Sequence, residues 1–339
     1  MRRYAPVFVL FLLSTFIGEI LFGATTLSRI GGLLVVAPLY GGGALVIREL
    51  VRRRGPGWAR IALLGAAYAI VEEGLAIQSL FNPDLFNAGL LGARALGVNW
   101  VWAQWTVGYH IVWSIAIPIL LTELLFPERR GRPWLSRTGV IIVGMVYAAG
   151  ALAVGAIFRL VITPDFRTPM IVNIVAALVA AGLVALALIW PAKLKVVAPA
   201  RDARPVPSPW LMALMTGAAA CAWFMLLSIP HILRDSELVI VPMLAEIGLV
   251  AIVVWLIHRW SAPGRAWTDM HRLALACGAL LVSTLVGFFF VTASNPIDQL
   301  GVGVSAVVAA ILVILFIRRL QRRSQRAPEP RQQIANNMS

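Results

Sequence analysis

Apolar runs of about 20 residues recur along almost the whole chain, and short clusters of arginine and lysine separate them. At a rise of 1.5 Å per residue, a helix of that length crosses the roughly 30 Å hydrocarbon core of a bilayer. Within lipid the backbone must satisfy its own polar groups, which leaves helices and closed barrels. Runs this long and this continuous predict an all-α fold, a polytopic transmembrane helical bundle. Ten spans are expected, at about 5–23, 31–48, 61–80, 101–126, 138–160, 169–192, 209–230, 238–258, 273–292 and 301–317. They make one transmembrane domain over 1–320, and 321–339 reads as a disordered basic cytoplasmic tail. The composition agrees, with 60% hydrophobic and 13% charged residues where soluble domains carry about 25% charge.

A net charge of +14 would suit nucleic acid if it formed one patch. Instead, all the lysines and arginines except Arg29, Arg94, Arg159, Arg167 and Arg234 fall on alternate connectors and the two ends. By the positive-inside rule those connectors and both termini are cytoplasmic. The expected partner is the lipid bilayer, with no nucleic acid, and the expected location is the cell membrane, of the bacterial cytoplasmic type. The opening MRRYAPVFVLFLLSTF resembles a signal peptide, but its apolar run continues through Glu19 to Gly23 without a small-x-small cleavage site. It is therefore expected as a retained first span. Cys221 and Cys277 sit inside apolar runs, as small buried hydrophobes would.

Against this apolar background, Glu72 and Glu73 stand near the middle of the third span. One charged side chain at a helix centre costs roughly 2.5–3.5 kcal/mol on insertion scales, so an adjacent pair points to function. Counting helical rise from the span ends puts Glu72, His110 of the fourth span and Glu246 of the eighth near the midplane. Glu19 falls further out, and Glu123 is expected at the inner surface in reach of water. Ser114 lies one helical turn from His110 and shares its face. Thr106 and Gln78 are further supporting candidates. Adjacent helical side chains diverge by about 100°, so one glutamate is expected to face the site while the other bonds a neighbouring helix. A carboxylate beside an imidazole serves general acid/base catalysis, and equally a proton relay. A metal would have Glu72, Glu73 and His110 as its ligands, but no HExxH-type spacing accompanies them, and no cofactor is indicated.

Two other stretches depart from plain spans. Pro38 followed by Gly41-Gly42-Gly43 in span two suits either a broken helix or close helix packing. The connector from Phe81 to Trp100 is apolar enough to lie in the interface, to re-enter or to cover a site below it.

A Glu-Glu pair in one span followed by a His in the next resembles the CAAX-protease and bacteriocin-processing family of intramembrane proteases. That family carries EExxxR, then FxxxH, then HxxxN or HxxxD. Glu72 and Glu73 match the first letters, with Ile77 in the arginine's place, and His110 matches the second motif, with Thr106 in the phenylalanine's place. His231 and Asp235 have the third spacing, in an expected outer loop, HILRD. The resemblance covers roughly residues 60–125. It implies that one glutamate activates water for attack on a peptide bond while His110 assists or stabilises the oxyanion.

Three functions follow as alternatives. An intramembrane hydrolase should bring Glu72 or Glu73 within hydrogen-bond reach of His110 at a water-accessible cleft. A proton-coupled secondary transporter of two inverted five-helix halves should gather Glu72 and Glu246 at a pseudo-two-fold axis. A structural or accessory protein should satisfy each acid against a separate neighbour. The substrate is not legible.

Overall fold

In the computed structural model, which describes residues 3–55, 57–190, 205–233 and 237–326, each expected span is helical. In chain order the helices are α1 (Ala5–Ile20), α2 (Leu33–Arg52) and α3 (Trp58–Ala69), which runs on as a π-helical segment, Ile70–Ala76. Then come α4 (Trp100–Leu125), α5 (Arg137–Ile162), α6 (Met170–Ile189), α7 (Pro209–Leu233), α8 (Ile240–Trp260), α9 (Asp269–Val291) and α10 (Pro296–Arg326). Among the described residues, eight of these, α2 and α4 to α10, are long and apolar enough to cross a membrane. Of the other two, α1 is shorter, and α3 with its extension carries Arg60, Glu72 and Glu73. Helix α10 continues to Arg326, while the rest of the tail, 327–339, and the basic connector at 191–204 lie outside the described residues.

The bundle is built around α4. One apolar core, including Leu10, Leu39, Tyr68, Ile115 and Val154, joins α1, α2, α3 and α5 to it. A second, including Ile17, Trp105, Trp113, Phe224 and Leu273, joins α1, α7, α9 and α10 to its other side. Helices α8 and α10 turn most of their apolar surface outward, as Ile252, Trp255, Ile311 and Leu312 illustrate, which fits lipid as solvent.

Helix α2 is unbroken through Pro38, so its glycines serve close packing. A Cβ at Gly41 would sit 2.5 Å from the Phe11 ring of α1, and at Gly43 2.6 Å from the Tyr68 ring of α3. At Gly42 it would come within 3.0 Å of Tyr147 of α5. Three successive glycines thus let three helices approach one, the small-residue logic of membrane packing.

At the end of the bundle expected to be cytoplasmic, Glu123 does not reach water as expected. It is 2% exposed and accepts two hydrogen bonds from Arg52, at 2.6 and 2.7 Å, and a third from Arg48 at 3.2 Å. Arg48 is fully buried: it also donates to Glu49 and to the carbonyls of Arg129 and Arg130, and stacks 3.4 Å from the Trp134 ring centroid. Glu49 in turn accepts from the backbone amides of Trp134 and Leu135. Arg48 and Arg52 are one turn apart, so both meet the α4 carboxylate before it reaches water. The sequence places these arginines as topology markers and misses their structural role.

At the end of the bundle expected to face outward, the Phe81–Trp100 connector is not one continuous helix. It holds a 3-10 stretch, Leu85–Leu91, and a two-stranded antiparallel hairpin of β1 (Arg94–Ala95) and β2 (Val98–Asn99). The described residues with positive φ other than glycine, namely Gln78, Phe86, Asn87, Ala93 and Leu96, all fall in or beside it. Arg94 bonds the Asn99 side chain and the Phe81 carbonyl, and Asn99 bonds the carbonyls of Ser79 and Asn82. These bonds fix the connector over the outer end of α3.

Candidate functional site

Three helices change pitch at the depth where their ionisable residues lie. Glu19 sits in a π-helical segment at Phe16–Ile20, Glu72 and Glu73 in Ile70–Ala76, and His110 with Ser114 in His110–Ala116. A π turn re-aims side chains and loosens the backbone ladder, and such turns are frequent at functional sites. The Ser14 hydroxyl bonds the Ser114 carbonyl at 2.7 Å, and Arg159 of α5 donates to the Leu75 carbonyl at the end of the glutamate-bearing segment.

The outcome overturns the expectation of separate partners for the two glutamates. Glu73 Oε1 lies 3.0 Å from His110 Nε2, and Glu72 Oε2 lies 3.4 Å from His110 Nδ1. Both acids address one imidazole, at its two nitrogens. The widened π turn and the two-sided ring together allow what the 100° divergence of an α-helix argues against. Nδ1 also meets Ser114 Oγ at 3.0 Å. On the far side of Glu73, the Ser79 hydroxyl donates to Oε2 and accepts from Trp102 Nε1 at 3.0 Å. A hydrogen-bonded line therefore runs Trp102, Ser79, Glu73, His110, Ser114 across α3 and α4.

Tyrosine rings enclose the imidazole. Tyr68 and Tyr109 stand edge-on to it, at centroid distances of 5.7 and 5.6 Å, and Tyr40 is tilted at 6.0 Å. Edge-on packing of this kind is the favoured aromatic geometry and holds the imidazole in place. The Tyr68 hydroxyl is buried and faces Glu72, yet neither it nor Glu72 Oε2 closes a hydrogen bond. Glu19, bonded by the Thr25 hydroxyl at 2.6 Å and faced by Tyr40, lies within electrostatic reach of His110 and Glu73. His110 is 3% exposed, and the cluster is closed rather than open to a wet cleft as the hydrolase expectation requires. Sequence reasoning misses the tyrosines and Ser79. The spacing of Tyr68 and Glu72, one turn apart on the same face, is the signal that could have found the first of them.

The remaining candidates scatter. Thr106 bonds the Trp102 carbonyl of its own helix, one turn back, and so takes no part in the cluster. Gln78 is buried beyond the π segment in a left-handed conformation, φ 66°, with its amide oxygen unpaired. Glu246 accepts from Gln104 at 2.6 Å instead of joining Glu72, so the gathering expected of two inverted halves does not occur. His231 continues α7 rather than opening a loop, and Asp235 lies outside the described residues. As a metal set, Glu72, Glu73 and His110 do not fit. The acids engage opposite ring nitrogens, and among the described residues no group of three such side chains converges on one point.

The fold and this cluster define a multi-pass integral membrane protein with a buried glutamate–histidine cluster. Residues 8–201 match the model of an uncharacterised membrane protein family, and the chain belongs to that family. The matched stretch contains Glu19, Glu72, Glu73, His110 and Ser114, and excludes Glu246. The match gives no support to the CAAX-protease and bacteriocin-processing resemblance, which rests on the glutamate pair and His110 alone. No curated protein and no solved structure matches the chain.

Proposed function

We propose that the protein is an intramembrane hydrolase whose acid–base centre is His110 held between Glu73 and Glu72. The observation that carries this reading is the clasp itself, a buried imidazole with a carboxylate on each nitrogen, at 3.0 and 3.4 Å. Carboxyl and imidazole groups in direct contact away from water are the groups that proton transfer within a membrane uses. In this reading His110 takes the proton of the attacking oxygen and returns it to the leaving group. Glu73 orients the ring and steadies its charged form, and Glu72 holds a second proton beside it. The closed packing is the resting state, and substrate binding opens it. Ten membrane crossings with both termini cytoplasmic complete the proposal, on the strength of the charge placement.

The test uses purified protein in nanodiscs, incubated with a membrane extract in water enriched in oxygen-18. Lipid and peptide fractions are then searched for carboxylates carrying the label. General acid–base groups contribute about 10²- to 10⁴-fold, so His110→Ala and Glu73→Gln should reduce labelled product by that order. A His110→Ala protein that releases as much labelled product as wild type would overturn the reading.

A second reading has its own observation, the hydrogen-bonded line from Ser79 through Glu73 and His110 to Ser114. Such a line can carry protons, as relays in pumps and transporters do. In liposomes loaded with a pH dye, it requires a proton flux that Glu73→Gln abolishes.

A further inference from the structure

We infer that Ser114 is the nucleophile of this centre and that the reaction passes through an acyl-Ser114 ester. The inference rests on the hydrolase reading and names the attacking oxygen, which that reading leaves open. Ser114 Oγ, His110 and Glu73 form an unbroken set: Oγ lies 3.0 Å from Nδ1, and Nε2 lies 3.0 Å from Glu73 Oε1. A nucleophile in hydrogen-bond reach of a base, which is itself oriented by an acid, is the general signature of an activated hydroxyl. With Nε2–H donated to Glu73, Nδ1 keeps the lone pair that accepts the Ser114 proton.

The surroundings supply two further parts. The Tyr68 hydroxyl is buried, faces Glu72 and belongs to a ring edge-on to the same imidazole, which makes it the donor at hand for an oxygen that gains charge. Gly18 of α1 lies directly over the serine, where an added Cβ would sit 3.2 Å from Ser114 Oγ. Glycine at this place keeps a side chain of α1 off the hydroxyl. Separation of α1 from α4 is then the access step, and the lipid-facing side of α1, with Phe8 and Leu12 exposed, brings substrate from the apolar phase. The substrate is an ester or amide carbonyl carried on an apolar chain, either an acyl lipid or a membrane-embedded peptide.

In the first step Ser114 Oγ bonds to the carbonyl carbon while its proton passes to His110 Nδ1. The carbon's bond to the alcohol or amine then breaks, and that group leaves with the proton. Water next adds to the acyl carbon and gives a proton to His110. The ester bond breaks, and the proton returns to Ser114 Oγ as the carboxylic acid departs.

The probe is a long-chain alkyl fluorophosphonate, which forms a phosphorus–oxygen bond to an activated serine and releases fluoride. Wild-type protein in nanodiscs should carry one adduct, mapped to Ser114 by peptide mass spectrometry. His110→Ala should be labelled at least 100-fold more slowly, and Ser114→Ala should carry no adduct and release no oxygen-18 product. Tyr68→Phe should keep the fold and lose about 10²- to 10³-fold in product release, as other oxyanion donors do. Product release that survives Ser114→Ala but is lost in His110→Ala would overturn the serine and leave the hydrolase standing. Release that survives both would overturn both. A Ser114→Ala protein that fails to fold would shift the decision to the wild-type adduct, whose absence from Ser114 would also overturn the proposal.

Discussion

At His110, Glu72, Glu73 and Glu19 all act on one imidazole, and Tyr40, Tyr68 and Tyr109 close around it. The two glutamates are not equivalent. Glu73 is bonded on both oxygens, to His110 and Ser79, whereas Glu72 Oε2 approaches His110 at 3.4 Å without a hydrogen bond. Glu73→Gln should therefore cost more product release than Glu72→Gln when the two are assayed side by side, and a reversed order would contradict the roles assigned. The glycine beside the cluster is equally constrained. A Cβ at Gly18 would lie 2.5 Å from the Tyr40 ring as well as near Ser114. Overpacking of this kind costs about 1–3 kcal/mol, so Gly18→Ala should lower thermal stability in detergent as well as activity. Unchanged stability would mean that α1 sits further from α4 than described.

Among the elements, the inner clamp between α2 and α4 holds the ends of the two helices that bring Tyr40 and His110 together. Removing one partner of a buried ion pair costs about 3–5 kcal/mol, because a buried charge is left uncompensated. Glu123→Ala strands Arg52 and takes one of two carboxylates from Arg48, and should destabilise the bundle by that order in a detergent-melting assay. Glu128→Ala makes the control. Its side chain is exposed and its approach to Arg323 is a loose 4.0 Å, so the expected change is under about 1 kcal/mol. Equal effects from the two would remove the clamp from the account. The helices themselves were legible because a span must be apolar along its whole length, and a pattern that strong survives without any knowledge of packing. The π segments were not, since a π turn is decided by what the widened backbone can bond to, here Ser14 and Arg159 from other helices. That is why Glu72, Glu73 and His110 could be found in the sequence, while the way both acids meet one ring could not. Glu123 was misjudged for a related reason: depth along a helix can be counted, but an arginine on the neighbouring helix cannot.

For the whole molecule, the arginine placement and the bundle together propose which face is which. In a variant freed of Cys221 and Cys277, a single cysteine at Leu96, on the exposed hairpin turn, should react with a membrane-impermeant maleimide added to intact cells. A cysteine at Arg132, between α4 and α5, should react only after the cells are broken. The opposite pattern would invert the orientation and put the strained outer connector inside. The asymmetry of the bundle also bears on function. Glu246 is bonded to Gln104 and stands apart from the cluster, so α8 has no counterpart of the α3 glutamates in place. Residues 72–75, EEGL, and 246–249, EIGL, share three of four letters, a likeness that the packing does not use.

The account depends most on Glu73 and His110 working as one unit. A double-mutant cycle on oxygen-18 product release measures this directly, using Glu73→Gln, His110→Ala and the two combined. If the carboxylate acts through the imidazole, the double variant should be no slower than the slower single variant. Losses that multiply would show two independent contributions and contradict the shared centre.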